Sequence, residues 1–103
     1  GYTSAITPDD ADLKRMGNLA VAALTAKYGT RYTIATSTNV LYAAAGGAND
    51  WAYGSANCKY SHTVELRDTG TYGFTLPASQ IKPTCTETIA AFIEFGKNLS
   101  NEV

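Results

Sequence analysis

Hydrophobic positions follow two different rhythms along this chain. From residue 8 to residue 28 they recur at three- and four-residue spacing: Leu13, Met16, Leu19, Ala20, Ala23 and Leu24, with Lys27 continuing the row. That spacing predicts one helix with a single buried face. Thr7-Pro8-Asp9-Asp10 precedes it: a capping residue, a proline suited to the first turn, and two acids at the positive end of the helix dipole. Gly29 is a natural stop. The helix is therefore expected over about Pro8–Tyr28, packing on a sheet and doing no chemistry. A second helical rhythm covers about Thr84–Asn98, with Ile89, Phe92, Ile93 and Gly96 expected toward the core.

The contrasting rhythm lies at Lys59-Tyr60-Ser61-His62-Thr63-Val64-Glu65-Leu66-Arg67, closed by Asp68-Thr69-Gly70. β-Branched and aromatic residues dominate it, which predicts a strand over about 59–67. Alternation places Tyr60, His62, Val64 and Leu66 on one face, and Ser61, Thr63, Glu65 and Arg67 on the other. If helices cover both faces, Glu65 and Arg67 sit where charge persists only when paired or put to use. Arg31–Ala35 reads as a further short strand. Thr36–Ala48 reads as a small-residue loop with one helical turn around Ser37–Tyr42, and Gly46-Gly47 as a bend. Asp50–Asn57 is a turn-rich passage anchored by Trp51 and Tyr53, and Asp68–Lys82 a loop with aromatic insertions.

The 103 residues form one domain at most, and 45% hydrophobic against 17% charged residues allows a packed core. A net charge of −1 argues against a nucleic-acid or anionic-membrane partner. No apolar run is long enough to span a membrane.

Glu65-Leu66-Arg67-Asp68-Thr69-Gly70, followed by Tyr72-Gly73-Phe74 and Leu76-Pro77-Ala78-Ser79-Gln80-Ile81, resembles the C-terminal signature of the zinc carboxypeptidases of the A/B type. The similarity runs back through Asp50-Trp51-Ala52-Tyr53, Gly46-Gly47 and Leu41-Tyr42 to Tyr28-Gly29-Thr30 and Gly1-Tyr2-Thr3, in order and with matching spacing. The resemblance implies an α/β fold, a mixed central sheet flanked by helices. Residues 1–103 would be the C-terminal segment of a single catalytic domain.

The resemblance also implies roles. Glu65 matches the general acid/base, expected in a strand with its carboxylate toward a cleft and Arg67 on the same side. Read without the flanking match, Glu65 in an ion pair with Arg67 or Lys59 is the simpler account. Tyr42 matches a tyrosine that swings over the substrate's terminal carboxylate. Asn49 stands where the family reads the side chain being removed. An apolar residue there resembles the A type and Asp the B type, and Asn49 is neither. Ala44, Ala48, Asp50, Thr63 and Ser37 are expected around the same pocket. Phe74 matches a wall toward the penultimate residue, with core filling as its alternative. Arg67 and Asp68 are expected to brace the site.

The resemblance further implies a secreted enzyme that removes C-terminal residues of peptides or proteins by zinc-assisted hydrolysis. The family's zinc ligands come from earlier segments, and the single histidine, His62, has no ligand partner at useful spacing. Metal sites need several converging ligands. The zinc ligands are therefore expected from a companion N-terminal fragment, in a nicked enzyme or an enzyme of which this is a piece. The rival reading is a non-catalytic peptide-binding protein on the same fold. Cys58 and Cys85 are compatible with a mutual disulfide or with separate fates. Asn98-Leu99-Ser100 fits a glycosylation sequon.

Overall fold

The computed structural model describes residues 1–103. Helix α1 runs Asp10–Tyr28, α2 Ser37–Val40, α3 Ala48–Gly54 and α4 Ile81–Ser100, with a 3-10 turn at Ala78–Gln80 leading into α4. The expected architecture of a mixed central sheet flanked by helices is corrected by this finding: the chain is helical and contains no strand. Residues 31–34 and 61–66 adopt no regular structure. Alternation makes a segment fit for a sheet, but a strand exists only when another backbone accepts and donates its ladder of hydrogen bonds. Neither segment finds that ladder among these residues.

The chain divides into two compact units, residues 1–18 with 32–63, and residues 19–31 with 64–103. In the first unit the buried apolar anchor is Met16, fully out of solvent. Its helix closes on neighbouring chain through Gly17. A Cβ built there would meet the Ile34 side chain at 3.3 Å and the His62 ring at 3.8 Å. The glycine weakens the helix interior slightly but permits this approach, and His62 Nε2 donates to the Leu13 carbonyl at 3.0 Å. Tyr53 of α3 donates its hydroxyl to Asp9 Oδ2 at 2.8 Å, and Lys14 pairs with Asp10 one turn earlier. The threonine foreseen as a side-chain cap, Thr7, accepts the Asp10 amide through its carbonyl instead.

In the second unit α1 ends as its sequence dictates. Gly29 takes φ of +77° and donates its amide to the Thr25 carbonyl at 2.7 Å; a side chain there would be strained. Leu24 and Ala91 are buried. The buried stripe of α4 is Thr84, Glu87, Thr88 and Ala91, a helical i, i+3, i+4, i+7 row. Ile89, Phe92 and Ile93, expected inside, are exposed by more than half. The inward face is the one that carries Glu87, whose charge finds a cationic partner there. Thr88 returns its hydroxyl to the Thr84 carbonyl at 2.7 Å, so that hydroxyl needs no water. Cys58 and Cys85 are both free and exposed. No helix is long and apolar enough to cross a membrane.

Candidate active site

Residues expected to act together are held in the two units by different elements. In the first unit, the first turn of α3 presents Asn49 and Asp50, and α2 presents Ser37. Asn49 Nδ2 donates to Ser37 Oγ at 3.4 Å, and Ser61 Oγ donates to the Asn49 carbonyl at 2.9 Å. Asp50 Oδ2 lies 2.7 Å from the Gly1 nitrogen. These residues line one cavity of about 410 Å³, with Thr63, Tyr53 and His62 at its wall. That size suits one small ligand or side chain.

Its walls are rich in hydroxyls. Thr7, Thr36 and Thr38 line it as well, and their Oγ1 atoms are out of solvent without a hydrogen-bond partner. A buried polar atom without a partner is destabilising, and a ligand able to hydrogen-bond would relieve it. Of the residues expected at the pocket, Ser37, Asn49, Asp50 and Thr63 are brought together, whereas Ala44, Ala48 and Tyr42 are not among its lining. Ala48 opens α3. Ala44 is exposed and donates its amide to the Gly1 carbonyl. Tyr42, 71% exposed, follows α2 in irregular chain.

Beside the cavity, Asp12 accepts Lys59 Nζ at 2.5 Å and Arg15 Nε at 3.2 Å. The hydrogen bond from Lys59, and then that from Arg15, holds the Asp12 carboxyl below its usual range, while Asp12 raises the Lys59 ammonium. This group is solvated surface.

In the second unit the expectation that Glu65 lies in a strand is corrected. It lies in no strand, and its side chain is exposed rather than turned into a cleft. A carboxylate with no cover stays where water solvates it best. Arg67 turns elsewhere, to Glu87. Arg67 Nε and Nη2 donate to the two oxygens of Glu87 at 2.6 and 2.7 Å. Nη1 donates to Gln80 Oε1 at 2.7 Å. Thr30 Oγ1 accepts Nη2 at 3.1 Å and donates to Glu87 Oε2 at 2.6 Å. The Tyr28 ring lies 5.7 Å from the guanidinium carbon, within cation–π reach. The hydrogen bond from Arg67 holds the Glu87 carboxyl below the ordinary glutamate range; burial opposes this, and Thr30 adds to it.

Asp68 braces its own loop, accepting the amides of Gly70 at 2.9 Å and Tyr72 at 3.2 Å. Gly70 and Gly73 carry φ of +115° and +58° in that loop. Phe74 stands fully exposed beyond it, so core filling within these residues is not its role. Sequence reasoning did not single out Glu87, Thr30 or Gln80. The one available signal was an acid on a helix face otherwise made of Thr84, Thr88 and Ala91.

The zinc carboxypeptidase family model matches residues 1–91. The chain belongs to the zinc carboxypeptidase family. It is 57% identical over 88 residues to carboxypeptidase B of Astacus astacus, covering 85% of this chain and 29% of that protein. To carboxypeptidase O of Homo sapiens it is 45% identical over 93 residues, 90% of this chain and 25% of that protein. The structure of bovine thrombin-activatable fibrinolysis inhibitor, in complex with tick carboxypeptidase inhibitor, superimposes with a TM-score of 0.94 at 38% identity, over 99% of this chain and 34% of that one. The chain thus spans about a quarter to a third of these relatives. The family name implies zinc, yet no three histidine, cysteine, aspartate or glutamate side chains of this chain converge on one point. These residues do not by themselves make a zinc site of the usual three or four ligands.

Proposed function

We propose that this chain is the part of a metallocarboxypeptidase that receives the end of a peptide and carries its general acid/base, Glu65. The match of residues 1–91 to the zinc carboxypeptidase family, with Glu65-Leu66-Arg67-Asp68 inside the matched region, carries this reading. In the reaction, water adds to the carbonyl carbon of the last peptide bond. The Glu65 carboxylate takes a proton from that water and delivers it to the leaving nitrogen as the C–N bond breaks. One free amino acid and a shortened peptide result. Tyr42 donates its phenol to the substrate's terminal carboxylate, and Phe74 borders the penultimate residue.

Zinc ligands, in this reading, lie on a companion N-terminal fragment of the same enzyme, and the setting is extracellular. The exposed Ile89, Phe92, Ile93 and Leu99 of α4 support burial against such a companion, because apolar surface left in water is unfavourable. The cavity at Asn49 receives the departing side chain. Its hydroxyls and amide favour an uncharged polar side chain, with basic ones second.

The test is mass-spectrometric analysis of peptides incubated with the complete enzyme, with and without a zinc chelator. Stepwise loss of single C-terminal residues, abolished by the chelator, is expected. Peptide binding without any cleavage would favour a non-catalytic peptide-binding protein and overturn the proposal.

A further inference from the structure

Glu87 is fully buried, and the chemistry proposed above does not use it. Both its carboxylate oxygens accept hydrogen bonds, from one arginine and the threonine that supports it. Arg67 is held in turn from three separate pieces of chain: Tyr28 and Thr30 at the end of α1, Gln80 before α4, and Glu87 within α4. A planar guanidinium gripped at Nε, Nη1 and Nη2 has almost no freedom to rotate.

Arg67 stands two residues after Glu65. Within this chain Glu65 makes no hydrogen bond or ion pair that would hold it directly, and on the far side Asp68 ties down the amides of Gly70 and Tyr72. On its C-terminal side the backbone bearing Glu65 is therefore anchored through Arg67. Buried ion pairs can often be replaced by apolar side chains without loss of stability, so stability alone is a poor account of this one.

We propose that Glu87 is a positioning residue that fixes Glu65 through Arg67, an inference resting on the reading of Glu65 as the general acid/base. Its loss should misplace the Glu65 carboxylate relative to the water it deprotonates while leaving the pocket around Asn49 intact.

The experiment measures kcat, KM and melting temperature of the complete enzyme carrying Glu87→Asp, beside Glu65→Gln. Glu87→Asp keeps the charge and withdraws it by one methylene. A displacement on the order of 1 Å can slow an enzyme ~10²-fold, so kcat should fall on the order of 10- to 100-fold with KM within about twofold. A merely structural role would lower the melting temperature and leave kcat of the folded fraction unchanged, and that result overturns the inference. If Glu87→Asp does not fold, Gln80→Met decides. It removes the bond from Nη1 to Gln80 without touching the buried pair, and kcat should drop several-fold at constant KM; unchanged kcat overturns the inference. Wild-type kcat in Glu65→Gln would instead sink the reading of Glu65. An inactive Glu65→Gln beside a fully active Glu87→Asp removes only the positioning role.

Discussion

Arg67 and Glu87, twenty residues apart, share two hydrogen bonds of 2.6 and 2.7 Å, one to each carboxylate oxygen, with Glu87 wholly out of solvent. Such a bidentate pair is among the stronger polar contacts a protein makes. Leaving either charge alone is costly: removing one partner of a buried pair typically costs about 3–5 kcal/mol. Arg67→Ala should therefore destabilise the protein more than truncating any exposed residue of the Asp12–Lys59 group. Urea unfolding of both variants checks the order, and equal losses would contradict it.

The same pair sets an acid limit. Arg67 first, and Thr30 after it, hold the folded-state Glu87 carboxyl below its unfolded value, against the opposing effect of burial. A depressed folded pKa contributes stability that is fully present above the unfolded value of about 4.3 and lost as pH falls through the lower folded value. The urea midpoint should be insensitive to this group near neutral pH and fall below about pH 4. In Glu87→Gln that acid-side slope should be shallower. An identical slope in both proteins would show that other carboxylates set the limit.

Glu65→Gln should nearly abolish peptide hydrolysis by the complete enzyme. The amide keeps the shape but cannot accept the water's proton, and losses of general-base function are typically ~10²–10⁴-fold. Calorimetric binding of a non-cleavable peptide should change little. Turnover at the wild-type rate would refute the mechanism.

Tyr42→Phe should act mainly on binding. A hydrogen bond to a charged carboxylate contributes about 1.5–3 kcal/mol, so KM should rise roughly 10- to 100-fold while kcat changes less. A steady-state comparison on one peptide decides it. An unchanged KM would remove Tyr42 from the binding role that its exposed position permits.

In the proposed reading specificity turns on Asn49, whose amide donates to Ser37 in a cavity of hydroxyls. A buried Lys or Arg there would lack a facing carboxylate from Asn49, and Leu or Phe would strand the amide and the unpartnered threonine hydroxyls. Peptides differing only in the last residue should rank uncharged polar ends first and basic ends second. Asn49→Asp should move the preference to Lys and Arg. A sharp wild-type preference for Phe or Leu would overturn this account of the pocket.

Much of the helical structure was readable in advance because its causes are local. The 3-4 spacing of Leu13, Met16 and Leu24, the acids at Asp9 and Asp10, and the stop at Gly29 act within a few residues of one another, and α1 forms within two residues of its expected start. The short turn at Ser37–Val40 was legible for the same reason. Helix α3 was less so: Gly47 read as a bend and Asp50–Asn57 as a turn-rich passage, yet these residues cap and build a helix whose tyrosine reaches Asp9.

The neighbours of Ser37, Asn49, Asp50 and Thr63 were accessible from the motif and its spacing, since the matched order already assigns them to one pocket. Three other outcomes depended on groups far away in the chain. Residues 59–67 alternate like a strand but meet no ladder partner. The outward Ile89, Phe92 and Ile93 are more apolar than the face α4 turns inward. Arg67 bonds Glu87 rather than the nearby Glu65 or Asp68. Helix periodicity and capping are written in adjacent residues, because backbone dihedrals and i to i+4 bonds join near neighbours. Sheet ladders and buried ion pairs require two distant segments to meet, and only the folded chain determines which ones do.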